Sequence, residues 1–292
     1  MGGAESLARF FETDRRVVRI ALTRVEGSSP REAGTEMFVS KAGLWGTIGG
    51  GQLEFRAIDA AREMLEDGCL ARTIDLPLGP EIGQCCGGRV EMSLARMGEA
   101  DRRAAETREG LSQAGRPHVY VMGAGHVGRA LADLFQHCPV RCVLVDPRPE
   151  ELARSPAAVE KRVSAIPEVD VANAPRGSAF IVLTHDHSLD FLIASAAIER
   201  RDAAYVGMIG SRTKRAKLRA FMREHSDPGL FEDLTCPIGA GGSADKRPAV
   251  IAAFVLAEVM ARLTCGAASP ALRHASEEDA MPDTSDRAGA HA

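Results

Sequence analysis

The sequence predicts an α/β protein in which an N-terminal mixed α+β domain precedes a Rossmann-like domain with a doubly wound parallel sheet. A glycine fingerprint, Gly123-x-Gly125-x-x-Gly128, directly follows an apolar strand pattern and opens a helical one, as in dinucleotide-binding folds. Strand and helix patterns then alternate over residues 118–264, which is typical of a parallel sheet covered by helices. Residues 1–98 instead contain several strand patterns around one long amphipathic helix, which indicates a separate domain.

Four strands and one helix are predicted in the N-terminal domain. The strands are β-branched or alternating runs between Gly, Pro and Ser residues, at Val17–Val25, Glu36–Ser40, Arg72–Leu78 and Arg89–Met97. The helix follows the triplet Gly49, Gly50 and Gly51, and its apolar residues recur at helical spacing until Gly68, a typical C-cap. The N-terminal N–H groups of this helix therefore lie beside the triplet, where they are available to a phosphate.

The remaining chain divides into a charged helical linker at residues 99–117, the Rossmann-like domain, and a tail. Strands are predicted at His118–Gly123, Arg141–Asp146, Ala179–Thr184 and Ala204–Gly210, with helices at Arg129–His137, Leu189–Arg200, a basic segment after Ser211, and Pro248–Leu263. Residues 265–292 are polar and contain almost no bulky apolar side chain, so we expect them to be disordered.

Composition excludes several classes of protein. The 36 Lys and Arg residues against 40 Asp and Glu give a net charge of -4, so no overall attraction to nucleic acid or anionic membranes is expected. No apolar run is long enough to cross a membrane, and the start has no secretory pattern, so we expect a cytoplasmic protein. The seven cysteines include no C-x-x-C pair, which argues against a zinc ribbon or a thioredoxin-like site.

The glycine fingerprint predicts a crevice that binds phosphate. Gly123 permits a tight turn, Gly125 lets a pyrophosphate approach the backbone, and Gly128 lets the helix pack against the strand. Asp146 ends the next strand, where a carboxylate accepts hydrogen bonds from a ribose diol and favours unphosphorylated ribose. The nearby Arg148 weakens this preference, because an arginine there can accommodate a 2′-phosphate. A dinucleotide, another phosphate-bearing ligand, or glycines that merely pack the sheet remain alternatives.

Two further segments follow predicted strands of the same domain, at the edge where such sheets bind ligands. His185 and His187 flank Asp186, and either histidine is a candidate general acid or base, or a weak candidate metal ligand. Asp186 is equally explained as turn chemistry. Ser211 and Arg212 begin the basic helix, where an N-cap serine and an arginine make a second anion site plausible.

Cys85-Cys86-Gly87-Gly88 is the most unusual feature of the N-terminal domain. Adjacent cysteines do not easily form a strain-free disulfide, and thiolates suit molybdenum, copper(I) or a transferable sulfur atom. A hydrolytic nucleophile would need a nearby histidine, and this half of the chain has none. Two small buried residues in a tight turn are the structural alternative.

Six separated blocks resemble the xanthine dehydrogenase accessory proteins of the XdhC/CoxI family. The blocks are Gly27–Met37 (GSSPREAGTEM), Gly46–Glu54 (GTIGGGQLE), Gly83–Glu91 (GQCCGGRVE), the GAGHVG fingerprint with Val145–Arg148 (VDPR), Leu183–Asp190 (LTHDHSLD), and Val206–Arg215 (VGMIGSRTKR). They occur through both halves and cover nearly everything except the tail. The stretch CPIGAGG near the end departs somewhat from the family's pattern, so no role is transferred to it.

The resemblance implies a chaperone for the molybdenum cofactor (molybdopterin). Such a protein holds the cofactor during sulfuration and inserts it into an apo xanthine dehydrogenase-type enzyme, with a sulfur donor such as a cysteine desulfurase as a second partner. It is a carrier rather than an enzyme. The family's cysteine falls at Cys85 or Cys86, and Cys86 is preferred as a ligand to or near molybdenum because it directly precedes the glycines. The cofactor's phosphate, or a nucleotide attached to it, then fits the fingerprint or the triplet Gly49–Gly51.

Two other functions remain open at this point. One is an NAD-dependent oxidoreductase that uses His185 or His187, and the other is a nucleotide-sensing module without chemistry. The block around Cys86 discriminates between them, because a dehydrogenase has no need of it. The sequence does not decide whether the protein forms a homodimer.

Overall fold

The computed structural model describes residues 6–79, 87–225, 228–243 and 245–264. The chain forms two compact units that divide between Gly115 and Arg116. The tail predicted as disordered, residues 265–292, lies outside the described residues, and so do Cys85 and Cys86. No helix in the described ranges has the length and apolar character needed to span a bilayer.

The first unit is an antiparallel sheet with helices packed on it. Its elements are α1 (Leu7–Thr13), β1 (Val17–Glu26), β2 (Glu36–Ser40), β3 (Leu44–Gly46), α2 (Gly51–Asp67), β4 (Ala71–Pro77), β5 (Arg89–Arg96) and α3 (Glu99–Ala114). The strand order is β3-β2-β1-β5-β4. All four predicted strands and the predicted helix are present, and the N-terminal α+β prediction is confirmed. The short strand β3 was not predicted.

Helix α2 closes the main core of the first unit. Its buried residues Leu53, Ala57 and Met64 contact inward-facing side chains of the sheet such as Ile20 and Met92. Gly68 ends the helix in the left-handed conformation, with φ of 81°, as its C-cap position requires.

The segment predicted as a linker is mostly helix α3, and it packs within the first unit. Ala105 of α3 is buried with Phe11 of α1 and Phe38 of β2, and the Arg102 guanidinium donates to the carbonyl oxygen of Arg15 at 2.8 Å. The segment packs as a helix although it has few apolar residues, because Ala105 is its one buried residue and the charged residues face solvent.

The second unit is a parallel sheet of Rossmann topology. Its elements are β6 (His118–Met122), α4 (His126–Phe135), β7 (Arg141–Asp146), α5 (Pro149–Ala153), β8 (Glu160–Val163), α6 (Pro167–Asn173), β9 (Ala179–Val182), α7 (His187–Glu199), β10 (Tyr205–Met208), α8 (Arg212–His225), a 3-10 helix (Pro228–Asp233), β11 (Leu234–Thr235) and α9 (Pro248–Thr264). The order β11-β10-β9-β6-β7-β8 corresponds to the 3-2-1-4-5-6 order of dinucleotide-binding sheets.

Helices cover both faces of this sheet. Leu131 of α4 and Val255 of α9 belong to one buried cluster, whereas Ile193 of α7 and Leu218 of α8 belong to another, on the opposite face. Strand β9 is buried at every position, which explains its uninterrupted apolar run. The predicted α/β fold is therefore confirmed, although the edge strands β8 and β11 and the helices α5 and α6 were not predicted.

Candidate functional site

Glycines in two of the first unit's sequence blocks bring their backbones into contact. Gly88 lies so close to the loop after β1 that an added Cβ would stand 2.3 Å from the carbonyl oxygen of Ser28. Gly87 forms an isolated bridge with Ser28, and a Cβ on Gly27 would stand 3.2 Å from Cα of Gly88. Only glycine fits this approach, so the Gly87-Gly88 pair is positioned by the loop at residues 27–34.

The glycine triplet meets the same loop. A Cβ on Gly49 would lie 2.7 Å from Cγ of Pro30, and Gly49 has a φ of 127° that favours glycine. The blocks that contain Gly49 and Gly88 therefore both contact the loop at residues 27–34, which belongs to a third block far from them in sequence. We call this group of residues (27–34, 49–51, 87 and 88) the glycine cluster.

The start of α2 is occupied by a carboxylate of the protein itself. Oε2 of Glu54 accepts hydrogen bonds from the hydroxyl of Thr47 at 2.6 Å, from the N–H of Ile48 at 3.2 Å and from the N–H of Gly50 at 3.1 Å. An acidic side chain in the first turn satisfies a helix N-terminus. The sequence prediction placed a phosphate at this triplet, but Glu54 already satisfies two of the backbone donors that it would use.

Gly50 and Gly87 differ from their neighbours because no atom of the described residues lies within 4 Å of an added Cβ on either residue. Packing therefore does not require glycine there, although φ values of 80° and 67° do. Both residues present open backbone on the glycine cluster. Cys86 directly precedes Gly87 in the sequence, but both cysteines of the pair lie outside the described residues.

The three glycines of the fingerprint in the second unit differ in their surroundings, because two are closely packed and one is open. An added Cβ would stand 2.5 Å from the carbonyl oxygen of Leu183 at Gly123, and 1.9 Å from the carbonyl oxygen of Gly123 at Gly128. Gly125, the N-cap of α4, has an ordinary φ of -65°, and in the described part of the chain no atom lies within 4 Å of a Cβ added to it. Neither conformation nor packing explains a glycine at this position, whereas the approach of a ligand does.

The N-terminus of α4 has no acidic residue of its own helix comparable to Glu54, although the carboxylate of Asp146 accepts from the N–H of Ala124, which directly precedes the N-cap. Within the described chain no side chain caps α4, and its first turn contains no acidic residue. The first-turn N–H groups of α4 therefore remain available to a ligand.

Asp146 ties the fingerprint loop to strand β7. Its carboxylate is 1% exposed, and it accepts from the N–H of Ala124 at 2.7 Å, the N–H of Arg148 at 2.9 Å, and the Arg148 guanidinium at 3.0 and 3.1 Å. Burial tends to raise the pKa of this carboxyl, but the hydrogen bonds from Arg148 and Ala124 outweigh that effect and hold its pKa below the ordinary value. The predicted ribose acceptor thus already has four hydrogen bonds from the protein.

The segment after β9 contains one structural residue and two exposed imidazoles. Asp186 caps α7 by accepting from the N–H of Ser188 at 2.7 Å and that of Leu189 at 3.4 Å, and these bonds lower its pKa. The turn-chemistry alternative is therefore correct for Asp186. His185 and His187 are exposed. No cluster of three metal-ligating side chains is found among the described residues.

A buried ion pair joins the two loops at this edge of the sheet, and the sequence analysis missed it. Asp190 is fully buried, and one of its oxygens contacts Nζ of Lys214, which also donates to the carbonyl oxygen of Ile209 at 3.1 Å. The other oxygen accepts from the N–H and hydroxyl of Thr184, each at 2.8 Å. The pair therefore fixes the loop after β9 to the start of α8. An aspartate among the apolar residues of α7 was the available signal.

Ser211 and Arg212 lie where the sequence predicts, at the start of α8. Oγ of Ser211 accepts from the N–H of Lys214 at 3.3 Å, which confirms the predicted N-cap. Arg212 is exposed. Thus the loops after β6, β9 and β10 all lie at the carboxyl edge of the sheet, beside the topological switch between β6 and β9.

Comparison with known proteins identifies the family. The XdhC Rossmann domain matches residues 119–259, and the XdhC and CoxI family matches residues 11–75. The chain belongs to the XdhC family. The XdhC Rossmann match includes the fingerprint, Asp146 and the Asp190–Lys214 pair, and the other match includes Glu54 and the triplet but ends before Gly87.

Two individual proteins are similar to this XdhC-family chain. A crystal structure described as a xanthine dehydrogenase from Bacillus halodurans has a TM-score of 0.75 and 19% identity, covering 91% of this chain and 98% of that one. At this identity the likeness shows a shared fold. The uncharacterized protein YqeB of Escherichia coli K12 is 25% identical in an alignment 257 residues long that covers 80% of this chain, and the chain spans 41% of YqeB's length.

Proposed function

We propose that this XdhC-family protein is a maturation factor for a xanthine dehydrogenase-type enzyme, and that its cargo is the molybdenum cofactor. The observation that carries the proposal is the convergence of three sequence blocks on the glycine cluster. Gly27, Gly49 and Gly88 bring three loops into close contact, and the open backbone of Gly50 and Gly87 beside that contact is where we propose that a flat pterin approaches.

The described residues of each unit offer backbone to a polar ligand. In the first unit, Gly50 and Gly87 leave open backbone on the glycine cluster. In the second unit, Gly125 leaves the uncapped start of α4 open, and we propose that its first N–H groups bind a phosphate-bearing ligand. Gly123 and Gly128 then shape that loop, and Asp146 holds it to β7.

The thiolates of Cys85 and Cys86 are proposed as the ligands that face the metal. Thiolate is a soft ligand suited to molybdenum and to the handling of sulfur. Cys86 is joined to Gly87, which the glycine cluster positions. We propose that the cofactor is held here during sulfuration, with a cysteine desulfurase as the sulfur donor, before insertion into the apo enzyme. In this role the protein is a carrier rather than a catalyst.

A delivery assay tests this function. Purified protein loaded with molybdenum cofactor is mixed with an apo xanthine dehydrogenase-type enzyme, and both complex formation by pull-down and recovered dehydrogenase activity are measured. We expect wild-type protein to activate the apo enzyme, and Cys86→Ala to form the complex but transfer little cofactor. Cys69→Ala is the matched control, because Cys69 lies in the same unit, is partly exposed, and lies outside the glycine cluster. Equal activation by all three proteins would refute the role of Cys86 in carrying the cofactor.

A second candidate, an NAD-dependent oxidoreductase, is favoured by the dinucleotide-type strand order and the open Gly125. The four protein hydrogen bonds on Asp146 count against it, because the ribose of NAD would have to displace one of them. Tight NADH binding together with hydride transfer to a small carbonyl compound would support the oxidoreductase. NADH binding without transfer would leave only a nucleotide site.

A further inference from the structure

A basic cleft lies at the far end of the first unit from the glycine cluster. It has a volume of about 570 Å³ and is lined by Arg16, Lys41, Arg62, Leu65 and Glu66. A volume of this size matches pockets that hold small molecules. The lining has three cations against one carboxylate, although the whole chain has a net charge of -4.

Strand pairing brings two of the cations together. β1 and β2 are antiparallel, and their last paired residues at this end are Val17 and Ser40. Arg16 and Lys41 are the next residues on the two strands and therefore stand side by side just beyond the sheet. Like charges placed opposite each other destabilise a strand pair, so this arrangement has a cost that the fold alone does not explain.

Hydrogen bonds hold the backbone at Arg16 and beside Lys41. Oγ of the buried Ser40 accepts from the N–H of Ala42 at 3.3 Å and that of Gly43 at 3.0 Å, which fixes the turn that carries Lys41. The N–H of Arg16 donates to Oδ1 of Asp14 at 2.9 Å. The third cation, Arg62, comes from α2, and Leu65 lies one turn further along. The three positive groups thus arise from three separate elements.

The contrast with neighbouring arginines argues against a simple solvated surface. In the same unit Arg24 pairs with Glu26, Arg72 with Glu63, and Arg89 with Asp75. Among the described residues, by contrast, none of the three cations of the cleft forms an ion pair, and Glu66 does not pair with them. The cleft therefore keeps an uncompensated positive potential, which attracts anions.

We propose that this cleft binds a phosphate-bearing small molecule of nucleotide size. Guanidinium groups bind phosphate through paired N–H donors, and the lysine adds a point charge, while Leu65 offers an apolar contact. β1 has ten residues between the cleft and the glycine cluster, which is roughly 30 Å. One pterin cofactor does not span that length, so the cleft is a second site, and this inference does not depend on the proposed function.

Isothermal titration with pyrophosphate tests the proposal. The full chain carries Gly125→Asp, which places a carboxylate at the start of α4 and removes the competing phosphate site. We expect one site per chain whose affinity falls with added salt. Arg62→Ala and Lys41→Ala should each weaken binding on the order of tenfold, as expected for a lost charge-assisted hydrogen bond. Arg56→Ala is the matched control, since Arg56 is also exposed on α2 but does not line the cleft.

Three outcomes would overturn the proposal. The first is absence of binding. The second is an equal loss in Arg56→Ala, which would indicate diffuse attraction to the surface. The third is binding of a polyglutamate peptide at least as tight as that of pyrophosphate and sensitive to Arg62→Ala, which would assign the cleft to an acidic protein segment. Circular dichroism of each variant establishes that the fold is retained.

Discussion

Replacing Lys214 by methionine removes the cation that contacts the buried Asp190 carboxylate while keeping most of the side chain's length. The Asp190 side chain is 0% exposed and that of Lys214 is 11% exposed, so water does not compensate for the lost partner. Removing one member of a buried ion pair typically costs about 3–5 kcal/mol. We expect a loss at the upper end of this range for Asp190→Asn, because it leaves a cation unpaired, and at the lower end for Lys214→Met, because Thr184 still donates twice to Asp190.

The double variant Asp190→Asn, Lys214→Met makes the prediction quantitative. An asparagine oxygen can still accept from Thr184, and neither side chain carries a charge. The double variant should therefore lose no more than about 2 kcal/mol, against a sum of about 8 kcal/mol for the single variants, so the coupling energy of the cycle should be about 6 kcal/mol. Urea unfolding followed by circular dichroism measures all four proteins. Lys217→Met is the control, because Lys217 is exposed on the same helix, and it should change stability by less than about 0.5 kcal/mol.

Additive losses in the cycle would refute this reasoning. They would mean that Asp190 and Lys214 act separately, with the lysine held by Ile209 and the aspartate by Thr184. A loss below about 1 kcal/mol in both single variants would show that the pair is hydrated in solution.

Three further predictions concern the second unit. Gly128→Ala should destabilise the protein by about 3 kcal/mol, because its Cβ would stand 1.9 Å from a carbonyl oxygen. Gly125→Ala should cost less than about 1 kcal/mol. Equal thermal unfolding temperatures of the two variants would contradict this difference. Tyr205→Phe should cost about 1–2 kcal/mol, because the hydroxyl donates to Oε1 of Glu258 at 2.9 Å, and denaturant unfolding that matches the wild type would count against that bond. The pKa of Asp146 is lowered in the folded protein, so this carboxylate stabilises the fold above its unfolded-state pKa of 3.8, and that stability is lost as the pH falls below this value. Asp146→Asn should therefore lose less stability in acid than the wild type does. An unchanged acid unfolding curve would refute the assignment.

The elements that the sequence predicts well are those whose local pattern matches their burial. β9 is buried on both faces and has an unbroken apolar run, and α2 is buried on one face and ends at Gly68. β8 was missed because its four residues, Glu160–Val163, alternate between partly buried and exposed positions and include two cations and an acid. An edge strand of that kind is held by its neighbour β7 rather than by its own composition.

The sites divide in the same way. Local chemistry was sufficient for Gly123, which adopts a positive φ in the turn, for Gly128, which packs against that turn, and for the Ser211 cap. The hydrogen bonds that Glu54 accepts beside the triplet were not predicted, because a glycine-rich helix start attracts an internal carboxylate as readily as a ligand. Contacts between distant residues, such as Gly49 with Pro30, required the tertiary structure. The same holds for Asp190 with Lys214, because the aspartate in an apolar helix marks one partner but does not identify the other.

Equilibrium titration of the full chain with molybdenum cofactor, followed by the cofactor's absorbance, tests the central claim most directly. The account predicts roughly one equivalent bound per chain, a large loss of affinity in Cys86→Ala, and wild-type affinity in Cys69→Ala. Unchanged affinity in both Cys85→Ala and Cys86→Ala would contradict the claim that the glycine cluster and its cysteines hold the cofactor.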